Sequence, residues 1–175
     1  MLKDKTALVT GSTSGIGLAT ARALAQDGAK VMLNGFGDKA QIEKIRAGIE
    51  KDFGVKAGYS PADMTKPAEI ADMIRTTEKE FGSLDVLVNN AGIGEPNPAE
   101  KVNEKDFDDT LNVNLKGTFF TAQAVGKIMI KQKRGRIINM CSQAGFVELP
   151  TAVVYSVTKS AIALMTKCHA VGRAP

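Results

Sequence analysis

Short apolar runs alternate with longer amphipathic runs along the whole chain. The apolar runs, such as TALVT and LDVLV, are typical of strands in a sheet that is buried on both faces. Between them, apolar residues recur every three or four positions, as at Ile42, Ile45 and Ile49, which predicts helices with one buried face. This strand–helix alternation predicts a parallel, doubly wound α/β sheet with right-handed crossovers.

The same pattern gives approximate bounds for each element. The predicted strands are Thr6–Thr10, Lys30–Leu33, Val55–Tyr59, Leu84–Val88 and Arg136–Met140. The predicted helices cover residues 16–25, about 38–52, 67–81, about 104–131, and the stretch from about 153 onwards. The sequence contains no linker pattern or internal repeat, so residues 1–175 are interpreted as one domain.

Composition narrows the possible functions. Hydrophobic residues make up 43% of the chain and charged residues 24%, which is ordinary for a globular protein. The net charge of +4 is mild, and the basic run KQKRGR (131–136) is interpreted as a helix end and turn rather than a nucleic-acid patch. No apolar run reaches about 18 residues and no signal-peptide pattern begins the chain, so neither a membrane partner nor secretion is expected.

Cysteine and histidine content also restricts the chemistry. Cys141 and Cys168 form no disulfide framework, and a cytoplasmic location is expected on that basis. One histidine and two separated cysteines disfavour a zinc site, so no metal is predicted. His169 is interpreted as a helix-surface residue and Cys141 as a small core thiol.

A glycine-rich loop, TGSTSGIG (Thr10–Gly17), joins the first predicted strand to the first predicted helix. This position binds phosphate in parallel sheets, because a helix N-terminus presents unpaired N–H groups and glycines let the backbone approach a pyrophosphate. No Gly-Lys-Ser/Thr sequence follows, which disfavours a nucleoside-triphosphatase loop. The alternative is a tight turn that binds no ligand.

A second group of small residues, NNAG (Asn89–Gly92), ends the fourth predicted strand. Ligands of open α/β sheets bind at the carboxyl ends of strands, and small residues there would let a flat group lie close to the backbone. The alternative is a plain turn.

Five motifs follow one another in a fixed order: TGSTSGIG, NNAG, the Asn of NVNLKG, a serine that ends the fifth strand, and YSVTK. Together they resemble the short-chain dehydrogenase/reductase family, from Leu2 to about Ala170. The resemblance implies a Rossmann-like fold. It also implies an NAD(P)-dependent oxidoreductase that transfers a hydride between a nicotinamide and a secondary alcohol or ketone.

The resemblance implies a catalytic tetrad of Asn114, Ser142, Tyr155 and Lys159. Tyr155 would move a proton to or from the substrate oxygen, and the ammonium of Lys159, one helical turn away, would favour the phenolate. Ser142 would hydrogen-bond the reacting oxygen. Asn114, bending its helix, would hold a water between Lys159 and solvent.

The same comparison implies a set of cofactor-binding residues: Gly11, Ser14, Gly15, Ile16, Gly17, Phe36, Asp63, Met64, Asn90, Ala91, Gly92, Tyr155 and Lys159. Among them, Asp63 would hydrogen-bond adenine, the alternative being an exposed acid at a helix start.

The second strand bears on the choice between the two cofactors. The acid that grips the ribose of NAD usually ends this strand, but Gly35 stands there. No cation for the extra phosphate of NADP lies closer than Lys39, so NAD is expected in preference to NADP.

Three stretches, MLKDKTALVTGSTSGIG, VMLNGFGD and IEKIRAGIEKDFGVK, resemble the NAD-linked bacterial D-3-hydroxybutyrate dehydrogenases. That subgroup carries Gln, His and Lys where Gly94, Ala144 and Ala152 stand here, and a carboxylate substrate needs such donors. The resemblance makes the pair 3-hydroxybutyrate and acetoacetate the first substrate expectation, and the absence of these three donors makes the match poor for the substrate pocket. Reduction of 3-oxoacyl groups, sugars or other ketones stays open.

Members of the family usually run to about 250 residues, so the resemblance predicts a chain that is incomplete at its C-terminus and lacks the last two strands. Two hypotheses follow. In the first, the chain is part of a longer oxidoreductase. In the second, it is a short dinucleotide-binding or interaction protein without turnover. For the full-length protein the resemblance implies a homo-oligomer with a small-molecule substrate.

Overall fold

The computed structural model describes residues 1–147 and 149–172. Its strands pair in parallel and form one sheet in the order β3-β2-β1-β4-β5. The strands are β1 Thr6–Val9, β2 Lys30–Asn34, β3 Ala57–Ser60, β4 Val86–Asn89 and β5 Arg136–Asn139. The helices are α1 Gly15–Gln26, α2 Lys39–Phe53, α3 Pro67–Phe81, α4 Glu104–Thr110, α5 Thr118–Gln132 and α6 Val153–Val171. The predicted doubly wound α/β fold is confirmed.

Two apolar layers cover the two faces of the sheet. On one face, Leu8, Met32 and Leu87 pack with residues of α3 and α5. On the other face, the neighbouring strand residues pack with α1 and α2. Because successive strand residues point to opposite faces, both sets must be apolar, and this explains the near-continuous apolar runs of the sequence.

The predicted long helix over residues 104–131 is divided in two. A π-helical segment, Leu111–Gly117, separates α4 from α5. Asn114 lies within this segment, so the helix irregularity that the resemblance implies at Asn114 is present. π-Helical turns frequently occur at functional sites.

Two strands begin later than the sequence pattern predicts. Leu84 is excluded from β4 because the side-chain amide of Gln132 binds both its N–H, at 3.2 Å, and its carbonyl, at 3.0 Å. β3 begins at Ala57, whose N–H donates to the Glu50 carboxylate at 3.1 Å. A side-chain partner from a neighbouring helix, Gln132 of α5 or Glu50 of α2, therefore lies at each boundary.

Three further points concern the basic run, a membrane-spanning helix and a metal-binding group. The basic run at 131–136 forms the end of α5, a turn with Lys133 at φ 54, and the start of β5, as predicted. No helix in the described residues is long and apolar enough to cross a membrane. Those residues also contain no group of three or more His, Cys, Asp or Glu side chains that could hold a metal ion.

A buried carboxylate, Asp85, ties together the amino-terminal edge of the sheet. It is 5% exposed and accepts hydrogen bonds from the Thr6 N–H at 3.1 Å, Ser83 Oγ at 2.7 Å and Arg134 Nε at 2.9 Å. Burial by itself raises the pKa of this carboxyl, but the hydrogen bonds from Arg134, Ser83 and Thr6 outweigh it and hold the pKa below its usual value.

We predict that Asp85→Asn lowers the free energy of unfolding by about 1–3 kcal/mol at pH 7, because charged hydrogen bonds are lost. The pKa of Asp85 is lower in the folded than in the unfolded chain, so the carboxylate contributes stability above its unfolded pKa and loses that contribution as pH falls through the folded pKa. Urea unfolding from pH 7 down to about pH 3 should therefore show the two proteins converging as the pH falls.

Asp72→Asn is the matched control. Asp72 forms an exposed ion pair with Arg75 one turn along α3, and such pairs contribute less than about 1 kcal/mol. A loss for Asp85→Asn that stays constant over the whole pH range would contradict the role given to its charge.

Candidate active site at the carboxyl edge of the sheet

The residues singled out from the sequence gather at the carboxyl edge of the sheet. β1 and β4 are neighbours, whereas β2 and β3 extend the sheet on one side and β5 on the other. The connections after β1 and β4 therefore leave in opposite directions, which opens a crevice between them, and ligands of such sheets bind there. The glycine loop borders this crevice on one side and Asn90–Gly92 on the other.

The two borders are held together by hydrogen bonds around Thr10. Its hydroxyl accepts from the N–H groups of Asn90 and Ala91, both at 3.0 Å. The side-chain amide of Asn90 donates to the carbonyls of Thr10 at 3.0 Å and Gly11 at 3.1 Å. The Asn90 amide nitrogen thus faces the protein and stabilises the glycine loop.

Glycine is required where these segments touch. A Cβ at Gly17 would lie 2.2 Å from the Gly11 carbonyl oxygen and 2.5 Å from the Asn90 amide nitrogen. A Cβ at Gly11, where φ is +63, would lie 2.9 Å from Ala91 Cα. Gly11 and Gly17 therefore permit the close approach of α1 to the loop after β4.

The N-terminus of α1 is open. Ser14 is the N-cap, but its side chain makes no capping hydrogen bond, and the first turn contains no acid. The first N–H groups of a helix have no partner within the helix, and they attract an anion. Gly15, at φ +54, has open space in front of it, and Ile16 is 67% exposed beside it.

The end of β2 explains why no acid stands at position 35. Gly35 has φ +147, and a Cβ there would lie 2.6 Å from Thr13 Oγ1, so a carboxylate side chain is not accommodated. Asn34 is 1% exposed; its amide donates to the carbonyls of Ser60 and Ala62, and its Oδ1 accepts from the Gly11 N–H at 3.3 Å. Next to this turn, the side chain at position 36, a phenylalanine, is exposed.

Two expected cofactor contacts, those of Met64 and Asp63, stay predictions. The side chain of Met64 is 7% exposed and packs in the core, so only its backbone is available to a ligand. Asp63 accepts from the N–H of Thr65 at 2.9 Å and its hydroxyl at 2.8 Å, and the Thr65 N–H is the main reason that the pKa of Asp63 is lowered. The contact of Asp63 with adenine stays a prediction.

Lys159 is a buried cation. It is 4% exposed, and its Nζ donates to the carbonyl of Met140, just beyond β5, at 2.8 Å. Burial lowers the pKa of this ammonium below its usual value, and the neighbouring Cys141 works in the opposite direction. Its Nζ lies 5.4 Å from the centre of the Tyr155 ring, close enough for the positive charge to act on the phenol.

Asn114 is completely buried, and its side-chain amide links the loop after β4 to α6. Its Oδ1 accepts from the Ile93 N–H at 2.8 Å, and its Nδ2 donates to the Ile93 carbonyl at 2.8 Å and to Thr158 Oγ1 at 3.1 Å. Both N–H donors of the amide are therefore occupied by the protein. The expected role of holding a water stays a prediction, but these contacts give the side chain a structural task.

Ser142 and Tyr155 complete the site. Ser142 ends the connection from β5, and its Oγ accepts from the Ala144 N–H at 3.2 Å. The ring of Tyr155 packs against Gly94, where a Cβ would lie 2.9 Å from Tyr155 Cδ2. The expected roles of Ser142 and Tyr155 toward a substrate oxygen stay predictions.

Comparisons with known proteins give the site its context. The family model described as "short chain dehydrogenase" matches residues 5–175. D-beta-hydroxybutyrate dehydrogenase from Cupriavidus necator is 44% identical over 172 residues, which cover 97% of this chain and 65% of that protein. The chain is a member of the short-chain dehydrogenase family.

Other members of the family match comparably. Gluconate 5-dehydrogenase from Gluconobacter oxydans is 38% identical over 166 residues, covering 95% of this chain and 64% of that protein. The crystal structure of an NAD+-bound xylitol dehydrogenase superposes with a TM-score of 0.92 at 34% identity, covering 98% of this chain and 65% of that one. The chain thus spans less than two thirds of the length of each of these relatives.

Sequence reasoning missed four polar residues that shape this short-chain dehydrogenase site: Thr10, Ser12, Asn34 and Thr158. All four are buried. Ser12 Oγ donates to the Val9 carbonyl at 2.7 Å and accepts from the Asn34 N–H at 3.0 Å. Thr10, Ser12 and Asn34 could have been found only as polar residues at or just beyond the end of an apolar strand. Ordinary turns show the same pattern.

We predict that Gly17→Ala lowers the free energy of unfolding by about 1–3 kcal/mol, because the new methyl group is forced against the Gly11 carbonyl. Gly48→Ala is the control: Gly48 lies within α2, and a methyl group there would meet no neighbouring atom within 4 Å, so this change should stabilise the protein by about 1 kcal/mol. Urea unfolding of both variants measures the contrast, and equal stability of Gly17→Ala and wild type would refute the close approach.

Proposed function

We propose that the full-length protein is an oxidoreductase that transfers a hydride between a nicotinamide dinucleotide and a secondary alcohol or ketone. One observation carries the proposal: a buried ammonium, Lys159, lies 5.4 Å from the ring centre of Tyr155 at the sheet edge that also holds the open N-terminus of α1. The combination of a phosphate site and a proton-transfer pair along one crevice suits this reaction.

The residues of the crevice fit a dinucleotide. The uncapped N-terminus of α1 would receive the pyrophosphate on the N–H groups of Gly15 and Ile16. The exposed side chains of Ile16 and Phe36 offer apolar walls, and the glycines of the loop leave room for the backbone to approach. When bound, the nicotinamide supplies or accepts the hydride.

The chain's own residues would manage the accompanying proton. In alcohol oxidation, the Tyr155 phenolate accepts the hydroxyl proton of the substrate, and in ketone reduction the phenol donates it. The ammonium of Lys159 favours the phenolate because an opposite charge stabilises it. The Ser142 hydroxyl would bind the substrate oxygen and hold it at Tyr155.

The cofactor preference follows from the end of β2. Gly35 provides no acid for the ribose of NAD, but no cation for a 2′-phosphate adjoins it either, and Lys39 at the start of α2 is the nearest by sequence. The similarity to an NAD+-bound xylitol dehydrogenase supports NAD.

We predict that kcat/KM with NAD exceeds that with NADP by roughly tenfold or more, measured in steady state on the full-length protein. Lys39→Ala should leave the NAD rate unchanged, and Lys44→Ala serves as a control for general loss of charge on α2. A higher kcat/KM with NADP would reverse the assignment. A fall in NADP activity in Lys39→Ala alone would identify Lys39 as the phosphate ligand.

The substrate proposal is a secondary alcohol, with 3-hydroxybutyrate as first candidate because of the 44% identity to D-beta-hydroxybutyrate dehydrogenase. Gly94, Ala144 and Ala152 carry no side-chain donor for a carboxylate, so sugar alcohols and 3-oxoacyl thioesters belong in the same assay panel. The similarity to gluconate 5-dehydrogenase supports including sugars.

We predict that Tyr155→Phe abolishes turnover of whichever panel compound the full-length protein accepts, because the proton donor and acceptor is removed. Dinucleotide affinity, measured by calorimetry, should change less than about twofold. Tyr59→Phe is the control, since Tyr59 donates to the Gly35 carbonyl at 2.8 Å, away from Tyr155. Turnover that survives in Tyr155→Phe would disprove the acid–base role, and dinucleotide binding without turnover in the wild type would favour a binding protein.

We also infer a homo-oligomer for the full-length protein, from the family resemblance. A mainly apolar groove lies between the π-helical segment, α5 and α6, and it is lined by Leu111, Asn112, Leu115, Lys116, Phe119 and Met165. It supports this inference because such a surface is suited to pairing with a second copy of the chain.

A further inference from the structure

One buried hydroxyl in α6 has no part in the proton transfer proposed for Tyr155. Thr158 lies between Tyr155 and Lys159 in the sequence and is completely buried. Its Oγ1 donates to the carbonyl of Tyr155 at 2.7 Å and accepts from Asn114 Nδ2 at 3.1 Å. It therefore joins the backbone of the residue proposed as acid–base catalyst to the π-helical segment.

The connection continues beyond Asn114. The same amide binds the N–H and the carbonyl of Ile93, each at 2.8 Å, and thereby fixes the loop after β4. That loop contacts the site on both sides of Ile93. A Cβ at Gly92 would lie 3.6 Å from Lys159 Nζ, and a Cβ at Gly94 would lie 2.9 Å from the Tyr155 ring.

We propose that Thr158 is a positioning residue, which sets the location of Tyr155 relative to the segment Gly92–Gly94. It acts through a chain of hydrogen bonds that runs from the Tyr155 carbonyl through the Thr158 hydroxyl and the Asn114 amide to the Ile93 backbone. Loss of the hydroxyl would leave a buried N–H of Asn114 without its acceptor, which is unfavourable enough to shift the amide. The proposal rests on the acid–base role proposed for Tyr155.

A second threonine of α6, Thr166, serves as a control, because it makes similar hydrogen bonds but lies away from Tyr155. Threonine hydroxyls in helices commonly bond a carbonyl one turn back, and Thr166 does so with the Ile162 carbonyl at 2.7 Å. Thr166 Oγ1 also accepts from an asparagine amide, that of Asn139, at 2.9 Å. The two threonines therefore have the same chemistry, but of the two only Thr158 is connected to Tyr155 and to the loop at Ile93.

The test compares Thr158→Val, which keeps the shape but removes the hydroxyl, with Thr158→Ser, which keeps the hydroxyl. In the full-length protein, Thr158→Val should lower kcat by about 10- to 100-fold, the scale expected for a misplaced catalytic group. Dinucleotide affinity should change less than about twofold. Thr158→Ser should restore most of kcat, and Thr166→Val should keep the wild-type value.

Amide hydrogen exchange provides a readout that does not depend on turnover. The Ile93 N–H should exchange faster in Thr158→Val than in Thr166→Val, because its acceptor, Asn114, is held less firmly. Should Thr158→Val fold poorly, Thr158→Ala removes the same hydroxyl without crowding and is expected to show the same kcat and exchange pattern.

Two results would overturn the inference: wild-type kcat in Thr158→Val, or an equal loss of kcat in Thr158→Ser. These outcomes differ from a failure of the proposed function. If Tyr155→Phe still turns over substrate, the acid–base role itself is wrong. If Tyr155→Phe is inactive while Thr158→Val behaves as wild type, only the positioning role of Thr158 is wrong.

Discussion

The crevice depends on the close approach of α1 to the two loops that border it, which glycine permits because it has no side chain. α1 lies so close to these loops that a methyl group at Gly17 would stand 2.2 Å from the Gly11 carbonyl oxygen of the glycine loop and 2.5 Å from the Asn90 amide nitrogen of the loop after β4. This approach lets the Thr10 hydroxyl accept two backbone N–H groups of that loop. The glycine loop and the segment Asn90–Gly92 consequently form one structural unit, and the orientation of the α1 N-terminus toward the crevice follows from it.

The buried ammonium of Lys159 imposes the second constraint. Removing a cation from water is costly unless polar groups replace the water, and here the carbonyl of Met140 supplies one such group at 2.8 Å. Burial lowers the pKa of Lys159 and so favours the neutral amine, whereas stabilisation of a phenolate at Tyr155 requires the ammonium. In the proposed reaction, the burial of Lys159 therefore opposes the charge that Tyr155 would require.

Sequence patterns predict the strands and helices well because periodicity records which face of an element is buried. They fail where a distant partner decides, as at Leu84, which is captured by Gln132 from α5. The resemblance assigns Met64 to the cofactor; its side chain packs in the core, so a contact through its backbone stays a prediction. Thr158 has no sequence signal, because its importance lies in a hydrogen bond from Asn114, 44 residues away in sequence. Asn34 is signalled only as a polar residue at the end of an apolar strand.

The two edges of the sheet differ in whether their polar groups have hydrogen-bond partners within the protein. At the amino-terminal edge, Asp85 is satisfied by three donors, so its buried charge stabilises the fold. At the carboxyl edge, glycines with positive φ at positions 11, 15 and 35 and an uncapped helix leave donors unpaired and backbone conformations that few residues adopt. The unpaired N–H groups at this helix end are the ones that the phosphates of a dinucleotide would satisfy. The edge of the sheet that is suited to binding a ligand is therefore the edge at which the N-terminus of α1 lacks a side-chain cap.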